Sequence, residues 1–210
     1  MTTKPFIDII LAMDENNAIG HDRQIPWEPL PTDFKWYITL GTTTKDPRKR
    51  LALIVGRATF EDLLGFEEKY LSRWHSIVIT SQAQDIFHKN HPNIDRDHVD
   101  IVHSFEQAVE KSRLLINAPD SMIESAVSFG GSTVYEQAIA SKLVKRIYLT
   151  RILAKVPDCN NIVANFDLTD FRRIKRTSDE ILAEYDDEII EENGWKYQFQ
   201  IYENIRMSCE

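Results

Sequence analysis

Five short apolar runs, rich in β-branched residues, constrain the fold of this chain more than any other feature. They are FIDIILAM (6–13), LALIV (51–55), HSIVIT (75–80), SAVSF (125–129) and RIYLTRIL (146–153). Helical patterns or turn residues separate most of them. Buried strands that alternate with helices are typical of a mainly parallel sheet covered by helices. The sequence therefore predicts one α/β domain over residues 1–210.

The segments between and after these runs complete the predicted order of elements. The predicted helices cover about Thr32, as N-cap, to Gly41, as C-terminal stop, then a short helix at 56–59, and 104–116 and 134–140. Further strands are predicted at 100–104, 171–178 and 197–205, and 81–98 is predicted to be loop. Residues 179–196 are acidic and turn-like around Asn193-Gly194, so the last two strands are expected to form an antiparallel edge.

Composition narrows the class of protein. The 210 residues are 42% hydrophobic and 28% charged, which is typical of a globular chain, and the net charge of −8 argues against nucleic-acid or anionic-membrane partners. Two cysteines, Cys159 and Cys209, make no disulfide framework and fit no zinc spacing, so no metal site is expected. The N-terminus predicts neither a signal peptide nor a membrane span, and we expect a cytoplasmic protein.

Two strand-to-helix junctions carry residue types that suit phosphate groups. VGRAT (55–59) places a glycine, an arginine and a threonine at the start of a helix, and SFGGST (128–133) places two glycines and two hydroxyls at another. Free N–H groups at helix starts bind anions, and glycine permits close approach of the backbone. Each stretch alone is as typical of an ordinary capped turn, and neither is a G-x-G-x-x-G fingerprint.

The stretch IPWEPLPTDFKWY (25–37) contains an acid in an unusual setting. Asp33 falls in the first turn of a predicted helix, where the helix dipole favours any carboxylate. Trp27, Phe34 and Tyr37 crowd it with rings, and a carboxyl group beside apolar walls has a raised pKa and can hold a proton near neutral pH. By itself the stretch fits both a structural aspartate and a catalytic acid.

Taken together, these stretches resemble the dihydrofolate reductase family. The similarity is collinear over nearly the whole chain, and it runs through IILAMDENNAIG (9–20), IPWEPLPTDF (25–34), LIVGRATFEDL (53–63), HSIVITSQ (75–82), SFGGSTVYEQAI (128–139), RIYLTRI (146–152) and NGWKYQFQIYE (193–203). The resemblance implies an α/β fold with a central eight-stranded, mostly parallel sheet, an antiparallel C-terminal edge and flanking helices.

The resemblance also implies a reaction: NADPH reduces 7,8-dihydrofolate to 5,6,7,8-tetrahydrofolate, with hydride to C6 and a proton to N5, for one-carbon metabolism and thymidylate synthesis. Asp33 matches the family's active-site carboxylate, Thr150 the threonine that bonds it, and Trp27 the tryptophan that holds a nearby water. The loop around residues 14–28 matches the family's closing loop. The walls of the substrate site would be Ile10, Leu11, Ala12, Phe34, Tyr37, Leu63 and Phe129.

NADPH binding is implied at three places. The nicotinamide end would contact Ala12, Ile19 and Gly20; the phosphates would contact Gly56, Arg57, Ala58 and Thr59 together with Phe129, Gly130, Gly131, Ser132, Thr133, Val134 and Tyr135; the adenosine side would contact Thr80, Ser81 and His103. The family has a cis peptide bond between the two glycines that match Gly130 and Gly131.

Two departures from the family's pattern concern cations. Counting from the HSIVIT strand places Trp74 where the family has the arginine that holds the glutamate carboxylate of folate. We therefore assign that role to Arg73 and expect a one-residue bulge. Ser81 and Thr133 stand where arginines are common beside the 2′-phosphate, and Arg57 is the cation that remains. We therefore expect a smaller preference for NADPH over NADH than is usual.

Two further departures concern size and loop chemistry. Asn160 replaces an aspartate in the loop after YLTRI, so we expect loop closure to be tuned differently. Phe129 is larger than the usual aliphatic residue at the edge of the pterin site, and we expect it to tighten the slot and to alter the binding of antifolate inhibitors.

Two alternatives remain open at this point. One is a related pyrimidine reductase of riboflavin synthesis on the same fold, and the other is a non-catalytic folate- or nucleotide-binding protein. Asp33 after the Pro-Trp pair favours a pterin, and Thr150 with both junctions favours turnover. As partners we expect dihydrofolate or folate and antifolates, with no nucleic acid and no membrane, and we expect a monomer.

Overall fold

The computed structural model describes residues 6–66, 68–175 and 188–208. Its strands and helices alternate through most of the chain, in the order β1 (Ile7–Met13), β2 (Ala18–Gly20), α1 (Pro31–Thr42), β3 (Arg50–Gly56), α2 (Arg57–Leu63), α3 (Glu68–Leu71), β4 (Trp74–Ile79), α4 (Gln84–Asn90), β5 (Val99–Val102), α5 (Phe105–Asn117), β6 (Ile123–Gly130), α6 (Ser132–Ala140), β7 (Val144–Ile152), β8 (Asn161–Ile162), β9 (Phe171–Ile174), β10 (Ile190–Glu192) and β11 (Trp195–Asn204). Short 3₁₀ turns cover Arg96–His98 and Ile205–Ser208.

The main sheet has the order β10–β11–β7–β1–β6–β3–β4–β5. Strands β7, β1, β6, β3, β4 and β5 pair in parallel, and β11 pairs antiparallel with β7. Strand β9 pairs with the end of β11 and β10 with its start, so these two short strands share one edge position. The nine strands therefore occupy eight positions, which confirms the predicted sheet with its antiparallel C-terminal edge.

A tight hairpin forms the outer edge of this sheet. Glu192 pairs with Trp195 across the two residues Asn193 and Gly194, whose φ angles are +48° and +81°. Two positive φ angles are typical of a type I′ turn, which joins twisted antiparallel strands with little strain. The predicted turn is therefore confirmed, but β10 itself was not expected.

Helices cover both faces of the sheet, because successive residues of a strand point to opposite sides. On one face Ile9 and Leu11 pack in a cluster with residues of α5 and α6, including Ala108 and Val134. On the other face Ile10 packs in a cluster with residues of α2 and α4. Helix α1 lies on this second face and packs over β7 and β11.

Helix α1 differs from its prediction at both ends. Leu30, not Thr32, is the N-cap, because Pro31 takes the first helical position, to which its fixed φ is suited. The helix continues to Thr42, one residue past Gly41, which is buried inside it. Gly41 therefore does not end the helix; it lies where α1 approaches the sheet closely.

Residues 81–98 are not all loop, which corrects a second prediction. They include α4 and the 3₁₀ turn at Arg96–His98. Phe87 is fully buried, and its ring centroid lies 5.9 Å from that of Phe60, so a single buried residue anchors the helix. A single anchoring residue leaves no helical periodicity in the sequence.

The strand predicted at 171–178 is only partly described. Of the strand predicted at 171–178, β9 takes the first four residues, and residues 176–178 lie outside the described part of the chain.

Within the described residues, no helix has the length and apolar character needed to span a membrane. In the same residues no cluster of three or more histidine, cysteine or acidic side chains could hold a metal ion.

Candidate active site

Asp33 and Thr150, far apart in sequence, meet at the start of α1. The hydroxyl Oγ1 of Thr150, near the carboxyl end of β7, donates a hydrogen bond of 2.6 Å to Asp33 Oδ1. Thr150 is 1% exposed, so its position is set by the sheet. The carboxyl group lies in the first turn of α1, at the end of the sheet where ligands collect in α/β folds.

The surroundings of Asp33 raise its pKa to about 6. Burial is the largest cause, because protein surrounds the carboxyl group on the sides that do not face the cleft. The hydrogen bond from Thr150 acts in the opposite direction, and the nearby charge of Glu192 raises the pKa further. A carboxyl group with this pKa can exchange a proton near neutral pH.

Rings line the cleft in front of Asp33. Phe34 of α1 is 47% exposed and meets Phe66 edge to face, with ring centroids 5.7 Å apart. Tyr37, one turn further along α1, packs against the ring of Phe129 at 4.6 Å. Phe66 follows α2 in the chain, and sequence reasoning missed it because nothing in the sequence indicates that this turn faces α1.

The structure corrects the expected roles of two predicted wall residues. The side chain of Leu11 lies on the opposite face of the sheet from Ile10, so only its backbone can face the cleft. Phe129 is 4% exposed, and its ring packs beneath α1 against Trp74 at 5.3 Å. Its size therefore sets how closely α1 approaches the sheet, and its effect on the width of the slot stays a prediction.

Four other residues predicted around the substrate site lie in, or at the margin of, two buried clusters near Asp33. Ile10 and Leu63 are buried under the cleft in the same cluster as Phe129. Trp27 is buried in the cluster that holds α1 on β7 and β11, and Ala12 packs at its margin. These residues form a buried floor and frame, whereas Phe34 is exposed and Tyr37 and Phe66 are partly exposed.

The two glycine junctions lie side by side where β3 and β6 end. A Cβ placed on Gly56 would lie 3.5 Å from Val134 Cγ2 and 3.7 Å from Gly130 O, and one on Gly131 would lie 3.5 Å from Thr59 Oγ1. The bond between Gly130 and Gly131 is cis, which confirms that prediction.

Gly130 has no room for a side chain. Its φ is +86°, and a Cβ there would lie 2.4 Å from the ring of Tyr135, whose hydroxyl donates to Ile10 O at 2.7 Å. Only glycine fits at this position of the junction, directly before the start of α6; Arg57 and Ala58 begin α2, and Ser132 and Thr133 begin α6.

The predicted adenosine-side residues also come together. The main-chain N–H of Thr80 donates to Val102 O, which joins the ends of β4 and β5. His103 Nδ1 lies 2.9 Å from Thr80 O, and Ser81 and His103 are exposed there. Arg57 is engaged instead within α2, where it donates to Glu61 Oε1 at 2.7 Å.

Comparison with known proteins agrees with this arrangement. The family model described as dihydrofolate reductase matches residues 6–204. The chain belongs to the dihydrofolate reductase family. It is accordingly an enzyme of the dihydrofolate reductase type, and the family implies a nicotinamide cofactor.

Individual relatives cover nearly the whole chain. A dihydrofolate reductase of Aedes albopictus is 28% identical over 198 residues, which are 94% of this chain and 96% of that protein. A bifunctional dihydrofolate reductase-thymidylate synthase of Glycine max is 28% identical over 203 residues, which are 96% of this chain and 34% of the longer protein. A solved structure of Schistosoma mansoni dihydrofolate reductase matches the fold with a TM-score of 0.69 at 22% identity, covering 96% of this chain and 100% of that one.

Arg73, predicted to hold the folate carboxylate, lies beside the loop that follows α1. It donates to Thr42 O at 3.1 Å, to Pro47 O at 2.8 Å and to Thr44 Oγ1 at 2.7 Å. A folate carboxylate would have to bind its remaining N–H groups. The pairing of β3 with β4 is regular from Trp74 onward, so the expected bulge does not lie within this strand pair.

The loop expected to close over the dihydrofolate reductase site is tied to the connection after β7. Within it Ala18 and Gly20 pair with β8, and Ile19 is partly buried. Asn160 and Asp22 bond reciprocally: Asp22 N donates to Asn160 Oδ1 at 3.1 Å, and Asn160 Nδ2 donates to Asp22 Oδ1 at 2.7 Å. The asparagine that departs from the family's pattern is thus a direct contact of the loop.

Sequence reasoning missed Glu192 at the other side of Asp33. Glu192 Oε1 accepts a hydrogen bond of 2.5 Å from Thr32 Oγ1, and both of its oxygens accept from Thr32 N, at 3.3 and 3.2 Å. The Asn193-Gly194 signal located the turn, but the strand before it is only three residues long and has no pattern of its own.

Proposed function

We propose that this chain reduces 7,8-dihydrofolate to 5,6,7,8-tetrahydrofolate with NADPH, and so supports one-carbon metabolism and thymidylate synthesis. The observation that carries the proposal is the Asp33 carboxyl group, bonded by Thr150 and placed with a pKa of about 6 behind an aromatic cleft. A flat, amidine-like ring edge such as that of the pterin suits a single carboxylate flanked by rings.

Asp33 would bind the pterin through its 2-amino group and N3. This contact favours protonation of N5, because the carboxyl group can hold a proton near neutral pH and, once ionised, stabilises positive charge that develops on the ring. Thr150 would hold the carboxyl group in the orientation that meets the ring edge, and Trp27 would fix a water beside it. Phe34 and Tyr37 would stack against the bound ring system, with Ile10 and Leu63 beneath it.

The residues at the two glycine junctions fit NADPH. Gly56 lies close to Gly130 and Gly131 where α2 and α6 begin, and Thr59 lies close to Gly131. NADPH, when bound, would supply the hydride that reaches C6 of the pterin. Thr80, Ser81 and His103 would hold the adenosine side, with few cations for a 2′-phosphate.

Closure of the loop around residues 14–28 would exclude water from the site. Exclusion of water strengthens the interaction of Asp33 with the ring and brings the reacting groups together. We further propose that the chain acts in the cytoplasm as a monomer and that it binds antifolates, whose diaminopyrimidine edge presents the same donors as the pterin.

The test is an absorbance assay at 340 nm with purified protein, NADPH and dihydrofolate. Asp33→Asn should lower turnover by roughly 10²–10⁴-fold at neutral pH, which is the usual contribution of a positioned acid–base group. Lys35→Gln, on the exposed side of the same helix, serves as the matched control and should keep the wild-type rate.

Two outcomes would contradict the proposal. Wild-type protein that binds dihydrofolate but does not oxidise NADPH would indicate a binding protein, and an unchanged rate in Asp33→Asn would remove Asp33 from the mechanism. Repeating the assay with NADH tests the cation-poor 2′-phosphate region, where we expect a smaller loss than the family's pattern implies.

A further inference from the structure

We propose that Glu192, on the β10–β11 hairpin, is a positioning residue for Asp33: it fixes the first turn of α1 and places a second negative charge beside the active-site carboxyl group. This inference rests on the proposed function, because it assigns Asp33 a role in turnover. It adds to the site a residue from the edge of the sheet.

The hydrogen bonds of Glu192 lock the start of α1. Thr32, which directly precedes Asp33, donates both its N–H and its hydroxyl to the Glu192 carboxylate. An N–H in the first turn of a helix has no partner within the helix, so a carboxylate there acts as a cap. The N-cap residue Leu30 has no side chain that could serve this purpose.

The hairpin is also held to the segment before α1. Asn193, next to Glu192 in the turn, donates through Nδ2 to Pro29 O at 2.6 Å. The Glu192 carboxylate is itself fixed from β11 by Tyr197, whose hydroxyl donates to Oε2 at 2.7 Å. Two successive residues of the hairpin therefore bind the chain just before α1, at Pro29, and in its first turn, at Thr32. Asp33 is the next residue of that turn.

The polar and titratable groups near Asp33 come from α1 itself and from strands β7, β10 and β11. Thr150 of β7 donates to it, and Glu192 of β10 is the nearby carboxylate that disfavours its ionised form. Tyr37 of α1 and Tyr197 of β11 also lie near Asp33, and burial raises the pKa of both phenols, so they remain neutral. Glu192 is thus the charged neighbour that can retain a proton on Asp33.

The test compares Glu192→Gln with wild type in kcat/KM for dihydrofolate at saturating NADPH from pH 5 to 9. Glutamine keeps an acceptor for Thr32 but removes the charge, so Asp33 should lose its proton at lower pH. We expect the midpoint of the alkaline limb to move to lower pH, and the rate above it to fall by roughly three- to tenfold, as for the loss of one nearby charge.

Two variants separate charge from structure. Glu191→Gln makes the same change on the neighbouring residue, which is exposed and pairs with Lys196 at 3.6 Å, so its pH profile should match wild type. Glu192→Asp keeps the charge and should restore the wild-type midpoint, although its shorter side chain should lower the rate.

A second readout does not depend on turnover. Titration of the Asp33 carboxyl carbon by ¹³C NMR, assigned with Asp33→Asn, should show the same downward movement in Glu192→Gln. An unmoved midpoint in both measurements would overturn the proposal, as would a loss of rate in Glu192→Gln that follows only a fall in melting temperature. A moved NMR midpoint in a protein without turnover would leave the proposal standing and refute the proposed function.

Discussion

At the scale of single residues, the pKa values of two carboxyl groups beside the start of α1 are shifted in opposite directions. Burial raises the pKa of Asp33 to about 6. Burial also acts to raise the pKa of Glu192, but the hydrogen bonds from Thr32 and Tyr197 outweigh it and lower that pKa. One group therefore exchanges a proton near neutral pH while the other stays ionised, a division of roles that environment alone produces.

A second contact at this scale sets the distance between α1 and the sheet. Gly41→Ala would place a methyl group 2.4 Å from Cζ of Phe129, which is far inside van der Waals contact. Alanine is the better helix former, yet we expect a loss of about 1–3 kcal/mol in the free energy of unfolding because the ring is confined by Trp74. Urea unfolding measures this change.

The matched control is Gly65→Ala, whose added methyl group would meet only Asp62 O, at 3.4 Å. It should change stability little. Adding Phe129→Leu to Gly41→Ala should recover most of the loss, since the smaller side chain vacates the space. A double variant as unstable as Gly41→Ala alone would show that Phe129 is not the cause.

At the scale of elements, α2 holds its own arginine in an ion pair. Arg57 pairs with Glu61 one turn later, and Glu61 also meets Arg23 of the closing loop at 3.4 Å. Glu61→Gln should release Arg57 and lower KM for NADPH by about two- to fivefold, which corresponds to a partly exposed ion pair. KM for NADH should change less, because NADH lacks the 2′-phosphate.

Asp62→Asn is the matched control for this prediction. Asp62 pairs with Arg23 at 3.2 Å, and its replacement removes a charge of the same sign on the next residue without freeing Arg57. Equal changes in KM for NADPH in the two variants would show that overall charge, rather than Arg57, governs cofactor binding.

The closing loop and the β7–β8 connection form a second unit at this scale. Asn160→Ala would remove both bonds to Asp22, so we expect faster hydrogen exchange in residues 14–28 and a KM for dihydrofolate raised by about two- to tenfold. Asn160→Asp, the family's usual residue, should act in the same direction, since it would face the Asp22 carboxylate. Exchange is read by mass spectrometry.

Asn165→Ala changes an exposed asparagine on the same connection and serves as the control. Its hydrogen exchange should match wild type. Protection of residues 14–28 that is unaltered in Asn160→Ala would show that the β2–β8 pairing alone holds the loop.

At the scale of the whole molecule, two carboxyl groups with raised pKa values reduce the free energy of unfolding at neutral pH. Asp8 and Asp33 both have pKa values raised from 3.8 to about 6, mainly by burial. Protonation is therefore easier in the folded than in the unfolded state. The free energy of unfolding falls as the pH rises through the interval between these values, and it stays reduced above about 6.

Replacing either carboxyl group by an amide should raise the free energy of unfolding at pH 7.5, by about 1–3 kcal/mol. Asp33→Asn should combine this gain with lost turnover. Asp8→Asn should gain stability and keep turnover, since Asp8 lies near the amino end of β1, away from the site. Urea unfolding at pH 5 and 7.5 tests the sign, and a gain no larger at pH 7.5 than at pH 5 would contradict it.

Much of the fold was predictable because strands buried on both faces leave unbroken apolar runs in the sequence. The mainly parallel pairing follows from the alternation of such runs with helical patterns, and the Asn193-Gly194 turn and the helix after each glycine junction follow from turn residues. Asp33 and Thr150 could be named because their segments resemble a known family. Helix α4 could not be predicted, since a single buried residue, Phe87, anchors it.

By itself, then, the sequence determined the mainly parallel sheet and most of the helices that cover it, and its resemblance to a known family pointed to Asp33 and Thr150. Tertiary structure alone decided that Glu192 caps α1, that Phe129 lies beneath Gly41 and that Asn160 forms hydrogen bonds with Asp22. These contacts join residues from 88 to 160 positions apart or link segments with no periodicity. Local patterns record which face of an element is buried, but only packing determines which distant side chain meets it.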